Sequence, residues 1–549
     1  MRRHIGTRFL CVVILAYLML PLAVAHAADA PVKVAVPVTY AKGNVVESNA
    51  PDGKPYPVFR LADDSPLVHH VHQVLDTSFA HQVIVLDRYA RNLLLSEFHA
   101  QTPPQYLTAP TYLLMSQEEG GFARHGFWLE DAKGQREFVL AGYVDLIVDE
   151  ESVEDGNLEE IFSHELGHQI LGELVGKLPS GASRNMHQSM TITDDFTAFD
   201  EGFAEHFQPL VRDATANPHL HEFSKGNSAV DLDLLWISRL DQQLRSDGVK
   251  RNLFIHRKAL PPAAPDSTAD RYRLYLDEET STTFLNDQLR NGQQMMASEG
   301  VIATLFYRIV NEPALRNHYR DAAFYVPFVG SRVTSDSLRQ TISLYENVNL
   351  KLFVAMRRAA KTIASGAPPM IALVNGYAAA FPDEAPEIYR VFLQTTRGAA
   401  TSQELANAFE RASADGRRGD ISEFRPGSRA AFSLLKSTTN RVARGELPLD
   451  ANLGPQLWLL NPDFKIAPAI WSSDRTLPFT LNLNTATEVD FMTISGVDLA
   501  IARKIIASRN ARSFFRSLDD LNPVLPPQLV PKFRSMWEQM RTTVSISRP

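Results

Sequence analysis

Only one cysteine, Cys11, occurs in 549 residues, which excludes a disulfide framework and a thiolate-based metal site. Long apolar runs are equally scarce. One, Phe9–Val24, is followed by no second run of membrane-spanning length. An excess of one charge is also missing: 55 Lys+Arg stand against 63 Asp+Glu, net −8, so any binding to nucleic acid or acidic lipid has to be local. No fixed-period repeat is found, which sets aside solenoids and propellers. What remains is an ordinary globular composition, 44% apolar and 21% charged, able to bury several cores. At roughly 150 residues per domain, the length predicts three or four folding units.

The first apolar run reads as an address. Arg2, Arg3 and Arg8 precede it and Ala25-His26-Ala27 follows with small residues where signal peptidase cuts, so residues 1–27 are expected to be a signal peptide. The alternative is a retained anchor. Cleavage would leave a cysteine-free mature chain with 52 basic and 63 acidic residues, net −11, exported to a periplasm or beyond and without an integral membrane segment.

Along the mature chain, 28–135 alternates apolar segments (Val32–Val38, Gln82–Leu86) with Pro/Asp/Gly punctuation (Asn49–Pro57), a mixed α/β region. Arg136–Val148 is rich in β-branched and aromatic residues and predicts a strand. A helix follows through to Gly176, with Glu150, Glu151, Glu154 and Asp155 ahead of it and apolar positions Ile161, Leu166, Ile170 and Leu174 along one face. After a polar stretch, Pro179–Asp195, a second helical pattern starts near Phe196. Residues 136–283 form the expected site-bearing region, 284–470 a helical region and 471–549 a small C-terminal domain. Ser413–Gly427 reads as a charged loop, with Arg418-Gly419-Asp420 as solvated turn.

The helix after the strand carries His164-Glu165-Leu166-Gly167-His168. Residues i and i+4 share a helix face, so both imidazoles can reach one zinc ion with Glu165 beside it. An extended HExxHxxGxxH site is excluded, because Leu171 and Leu174 stand where it needs Gly and His. The third ligand then falls downstream, in Asp200-Glu201-Gly202-Phe203-Ala204-Glu205: Glu201 is the natural ligand, and Glu205, one turn on, the carboxylate that could orient a ligand histidine. The His69-His70-Val71-His72 cluster has no matched acid and reads as surface.

These residues, over Leu140–Val211, resemble the gluzincin metallopeptidases, the thermolysin and aminopeptidase-type clan. The resemblance implies zinc held by His164, His168 and Glu201, with Glu205 orienting. It implies Glu165 as general base in peptide hydrolysis by zinc-activated water, and Arg136–Val148 as an edge strand that pairs with peptide substrate. The 32 residues between His168 and Glu201 make Pro179–Asp195 an insertion near the cleft, with lid-like composition. No oxyanion donor is assigned; Tyr307 reads as core.

A second resemblance lies at the C-terminus. Leu481–Ala486, Phe491–Asp498, the helix Leu499–Arg509 and Phe514–Leu521 resemble the helix-hairpin-helix domains of the ComEA type, whose hairpin amides face DNA phosphate. This chain keeps Gly496 but has Asp498 where a second glycine is expected, and Val524–Leu529 has no glycine. Residues 481–549 hold nine Lys/Arg against six Asp/Glu, a local +3. Gly496, Arg503 and Lys504 are the candidates for contact with DNA or a protein partner, and docking is favoured over DNA.

The expectation is an α+β protein: a zincin-like metallopeptidase domain, a mostly helical region and a small all-α helix-hairpin-helix domain, acting as an exported zinc peptidase. The rival is a non-catalytic envelope protein that binds DNA or protein through its tail.

Overall fold

The computed structural model describes residues 32–98, 104–116, 118, 120–179, 187–223, 238–258, 284–330, 333–461 and 479–547. The expected signal, 1–27, and Ser180–Met186 of the expected lid lie outside these residues. Among the described residues no helix is long and apolar enough to cross a membrane.

Six strands open the chain: β1 (Lys33–Pro37), β2 (Glu47–Asn49), β3 (Pro55–Leu61), β4 (Tyr112–Met115), β5 (Gly121–Glu130) and β6 (Arg136–Leu146). They run in the order β1-β4-β6-β5-β3-β2, and β1 also pairs with β3. Five strands therefore close on themselves as a small barrel. Strand alternation fills it: Ala35, Phe59, Tyr112, Leu114, Phe127, Val139, Ala141 and Tyr143 form an interior core, with Phe127 4.9 Å from Tyr112 and 5.0 Å from Phe59, ring centre to ring centre. The opposite faces, through Val34, Leu113, Val144 and Leu146, join a larger helical core.

That larger core is continuous from Val32 to Leu453. The expected divisions at 135 and 283 thus fall inside one packed body, because the barrel's outer face, the helices that follow it and the helical region bury their apolar surfaces against each other. A second core starts at Leu457 and runs to Met536. It opens with an antiparallel ribbon, Trp458–Asn461 with Phe479–Asn482, so the C-terminal unit is not all-α as expected and its core starts ahead of residue 471. The charged stretch Ser413–Gly427 is also largely helical. Gln403–Arg417 and Ile421–Ala443 flank a short turn, the second helix capped by the Asp420 side chain accepting from the Glu423 amide.

The motif helix, Asn157–Val175, lies within two residues of its predicted span but is buried nearly all round rather than amphipathic. Its buried carboxylates are tied to neighbours. Glu160 accepts two bonds of 2.8 Å from Arg212, Glu159 accepts from the Phe79 amide and Thr215 Oγ1, and Glu173 accepts from Arg91 at 3.0 Å. Such paired burial fixes the helix in rotation and height.

Candidate metal centre

Three helices stack to make the site, and two glycines set how closely. A Cβ on Gly167 would meet the Ala204 Cα and the Phe207 ring at 3.0 Å; one on Gly202 would meet Ile302 Cβ at 2.6 Å and the Glu299 carbonyl at 2.8 Å. Side chains there would push the motif helix, the helix Asp195–Glu205 and the helix Glu299–Asn311 apart. The middle helix is capped by Asp194, whose Oδ1 accepts from the Phe196 and Thr197 amides.

With the helices at this spacing, three donor atoms converge. His164 Nε2 and His168 Nε2 are 3.3 Å apart, and Glu201 Oε2 lies 3.7 Å from the first and 3.4 Å from the second. Ligands placed about 2.0–2.1 Å from a tetrahedral zinc are separated by about 3.3–3.5 Å, so the donor set fits that ion in both chemistry and spacing. All three line a cleft of about 650 Å³ with Glu165, whose Oε1 packs against Gly121 at the start of β5.

The site is charged in keeping with this. Burial would lower His168, but Glu201 and the Asp200 hydrogen bond outweigh it and hold its pKa well above the ordinary value. Burial would raise Glu201, yet the His168 and His187 cations drive it well below the carboxylate range.

The carboxylate oriented on a histidine is not Glu205. Asp200 Oδ1 lies 2.9 Å from His168 Nδ1, whereas Glu205 accepts from Ser189 Oγ at 2.5 Å and sits against Glu299. One turn of helix carries Glu205 about 5 Å below the donor plane and into the core, where burial and then Glu299 push its pKa well above the usual range.

The strand beside the cleft also differs from expectation. β6, the expected edge, is interior over Tyr143–Leu146, where β4 holds one side and β5 the other. It is β5 that borders the cleft, through Gly121–His125. β5 meets β3 only at Trp128 and Leu129, so the outer backbone of Gly121–His125 has no strand partner among the described residues. Tyr307 donates to Asp213 Oδ2 at 2.9 Å and does not line the cleft. His69 and His70 lie exposed on the helix Pro66–Thr77, 3.1 Å from Asp64 and 2.9 Å from Glu150 respectively.

Two residues absent from the sequence reading join the site. His187 Nδ1 lies 3.5 Å from Glu201 Oε2 and 3.6 Å from Glu299 Oε2. Glu201 foremost, and Glu299, raise the pKa of the half-exposed His187 to about 9. The segment after His187 is stitched to the turn before Glu299 by Gly300 N to Ser189 O and Thr193 N to Ala297 O. The available signal was that His187 is the only histidine between His168 and His206.

In the C-terminal unit, the hairpin glycine Gly496 adopts a φ of 90° at an exposed tip, and Asp498 caps the next helix by accepting from the Ile501 amide at 2.8 Å. Residues 480–526 match the helix-hairpin-helix motif family. No curated protein and no solved structure matches the chain.

Proposed function

We propose that the protein is a zinc-dependent metallopeptidase with a zincin-like catalytic region, acting in the bacterial cell envelope or outside it. The observation that carries this reading is the triangle His164, His168 and Glu201, spaced for a tetrahedral ion, with Glu165 lining the same cleft. When bound, zinc supplies Lewis acidity, which polarises a carbonyl and acidifies water. Glu165 takes the proton from the attacking water and returns it to the leaving amine. Asp200, by accepting from His168 Nδ1, leaves Nε2 turned towards the other donors. The open edge of β5 suits pairing with an extended peptide backbone, and the choice of substrate falls to the residues around it, including Phe122, Arg124 and His125.

The deciding experiment measures zinc content and peptide cleavage on the mature chain from residue 28. Glu165→Gln is expected to keep zinc and lose cleavage, and Glu201→Ala to lose both. Well-folded protein that takes up no zinc overturns the reading. A second reading, a non-catalytic protein whose tail binds DNA or a protein partner, draws on the match at 480–526 and on the exposed Gly496, Arg503 and Lys504.

A further inference from the structure

We propose that His187, Glu299 and Glu201 form a second divalent-metal position that shares Glu201 with the first, so that the centre is dinuclear. The inference rests on the zinc reading of His164, His168 and Glu201 and extends it.

The geometry comes first. The three donor atoms lie within 4.8 Å of one another, with His187 Nδ1 3.5 Å from Glu201 Oε2 and 3.6 Å from Glu299 Oε2. These are ligand-to-ligand spacings of a first-row ion. The oxygen nearest His187 is the same Oε2 that faces His164 and His168. A carboxylate placed between two donor groups in this way is suited to bridge two ions, as in two-metal sites where the ions stand about 3.5–4 Å apart. His187 does not join the first triad as a fourth ligand, since no group of four donors lies within that range among the described residues.

An independent observation comes from Glu299. Its side chain is 0% exposed, and neither carboxylate oxygen has a hydrogen-bond partner among the described residues. A buried carboxyl group without hydrogen bonds is costly to desolvate unless another group answers it. His187 Nδ1 stands 3.6 Å from Glu299 Oε2. Arg245 adds positive charge to this region, acting on Glu205 and on His187, and Glu205 accepts from Ser189 Oγ through Oε1. The region thus holds three carboxylates, Glu201, Glu205 and Glu299, and a single ion in the first triad leaves Glu299 without a ligand role. One imidazole and two carboxylates form a donor set suited to zinc, manganese or iron(II).

The framework is rigid where it has to be. The Gly300 to Ser189 and Thr193 to Ala297 hydrogen bonds hold the strand-like segment behind His187 against the start of the Glu299 helix, and Gly202 brings that helix to within contact of the Glu201 helix. The second position therefore forms from parts already held in register.

The test titrates the metal-free mature chain with Zn²⁺ and, in parallel, with Co²⁺. Two equivalents of zinc are expected, and Glu299→Gln and His187→Gln should each weaken the second by at least about 100-fold while leaving the first within about threefold. The second Co²⁺ equivalent should reduce the paramagnetic resonance signal per cobalt through spin coupling across Glu201. One equivalent, abolished by His164→Ala and indifferent to Glu299→Gln and His187→Gln, overturns the second position and leaves the zinc reading standing; the His187 and Glu299 contact is then an ion pair only. No bound metal in the folded wild type overturns both.

Discussion

The two cores use buried polar side chains in opposite ways. In the C-terminal unit most are satisfied from within: Asn484 accepts from the Phe515 amide and donates to the Phe515 and Pro455 carbonyls, Asn461 donates to the Thr493 carbonyl, and the buried Arg509 donates through Nη1 to the Leu483 and Ala486 carbonyls, although Arg509 Nε and Asn510 Oδ1 have no hydrogen-bond partner among the described residues. Around the metal centre they are left open. Glu299 has both oxygens without hydrogen-bond partners among the described residues, and so do His164 Nδ1 and both amide atoms of Gln169, which lines the cleft. Polar groups closed on their own backbone stabilise a fold; polar groups held open in a buried cleft cost stability and are retained where something else binds. By this measure the helix-hairpin-helix unit leaves fewer buried polar atoms open than the surroundings of the candidate site.

If that contrast is right, changes in the body should cost function and changes in the tail should cost stability. The largest effect is expected from Glu165→Gln, which removes the base without touching the helix ties at Glu159, Glu160 and Glu173. Peptide cleavage should fall by roughly 10²–10⁴-fold or more, with the urea midpoint unchanged. A variant that lost stability along with activity would place Glu165 among the structural groups. Arg509→Met is the mirror image. It strands the Leu483 and Ala486 carbonyls in a dry core, at about 1–3 kcal/mol each, so urea unfolding of the C-terminal unit should come several kcal/mol earlier while cleavage per folded molecule stays constant.

Gly167→Ala sits between the two classes. The added methyl meets backbone at Ala204 Cα rather than a side chain that can swing away, so about 1–3 kcal/mol of stability should be lost. Because the clash lies between the His168 and Glu201 helices, zinc affinity should fall with it. Loss of stability with unaltered zinc affinity would show that the donor triangle tolerates helix displacement.

What the sequence made readable, and what it hid, follows the range of the interactions. The i, i+4 spacing of His164 and His168 is a property of one helix, so their shared face needs no knowledge of the fold. The spans of the motif helix and of β6 were readable for the same reason. Whether Asp200 or Glu205 meets His168 depends instead on the crossing of two helices, set by Gly167 and Gly202, and the helix period alone admits either. Strand order is still less local: β5 rather than β6 borders the cleft because the sheet closes into a barrel, which no alternation pattern encodes. His187 and Glu299 meet across 112 residues of sequence through backbone bonds at Ser189 and Thr193. The closed self-pairing of Asn484 and Arg509 likewise became visible only in three dimensions.

Acid should weaken the body through the buried His206 and the half-buried His256. Burial holds His206 down to about 3 and His256 to about 4, both below the ordinary value near 6.5. Their neutral forms are the folded ones, so their contribution is intact above about pH 6.5 and is lost as pH falls from there towards 3–4. By pH 5 the His206 share amounts to about 2 kcal/mol. Urea midpoints at pH 7 and pH 5 should differ accordingly, and His206→Phe should flatten that difference; an unchanged slope would mean that His206 is protonated in the fold.

The smallest effect is expected at the exposed pair Arg503 and Lys504. Of the nine cations in Leu481–Pro549, Arg509 is buried, and Arg503, Arg512 and Arg534 stand 3.4, 3.0 and 3.1 Å from Glu488, Asp520 and Asp519. Asp498 adds a fixed negative charge beside the hairpin amides, because its role there is to cap a helix. Binding to duplex DNA releases about one counterion per phosphate neutralised, and few cations remain to do so. Fluorescence anisotropy on a labelled duplex between 50 and 200 mM salt should give weak binding with a shallow salt slope. Lys504→Ala should move it by less than about threefold. A steep slope that collapses when Arg503 and Lys504 are neutralised would reverse the contrast, making the tail the ligand-binding half of the molecule.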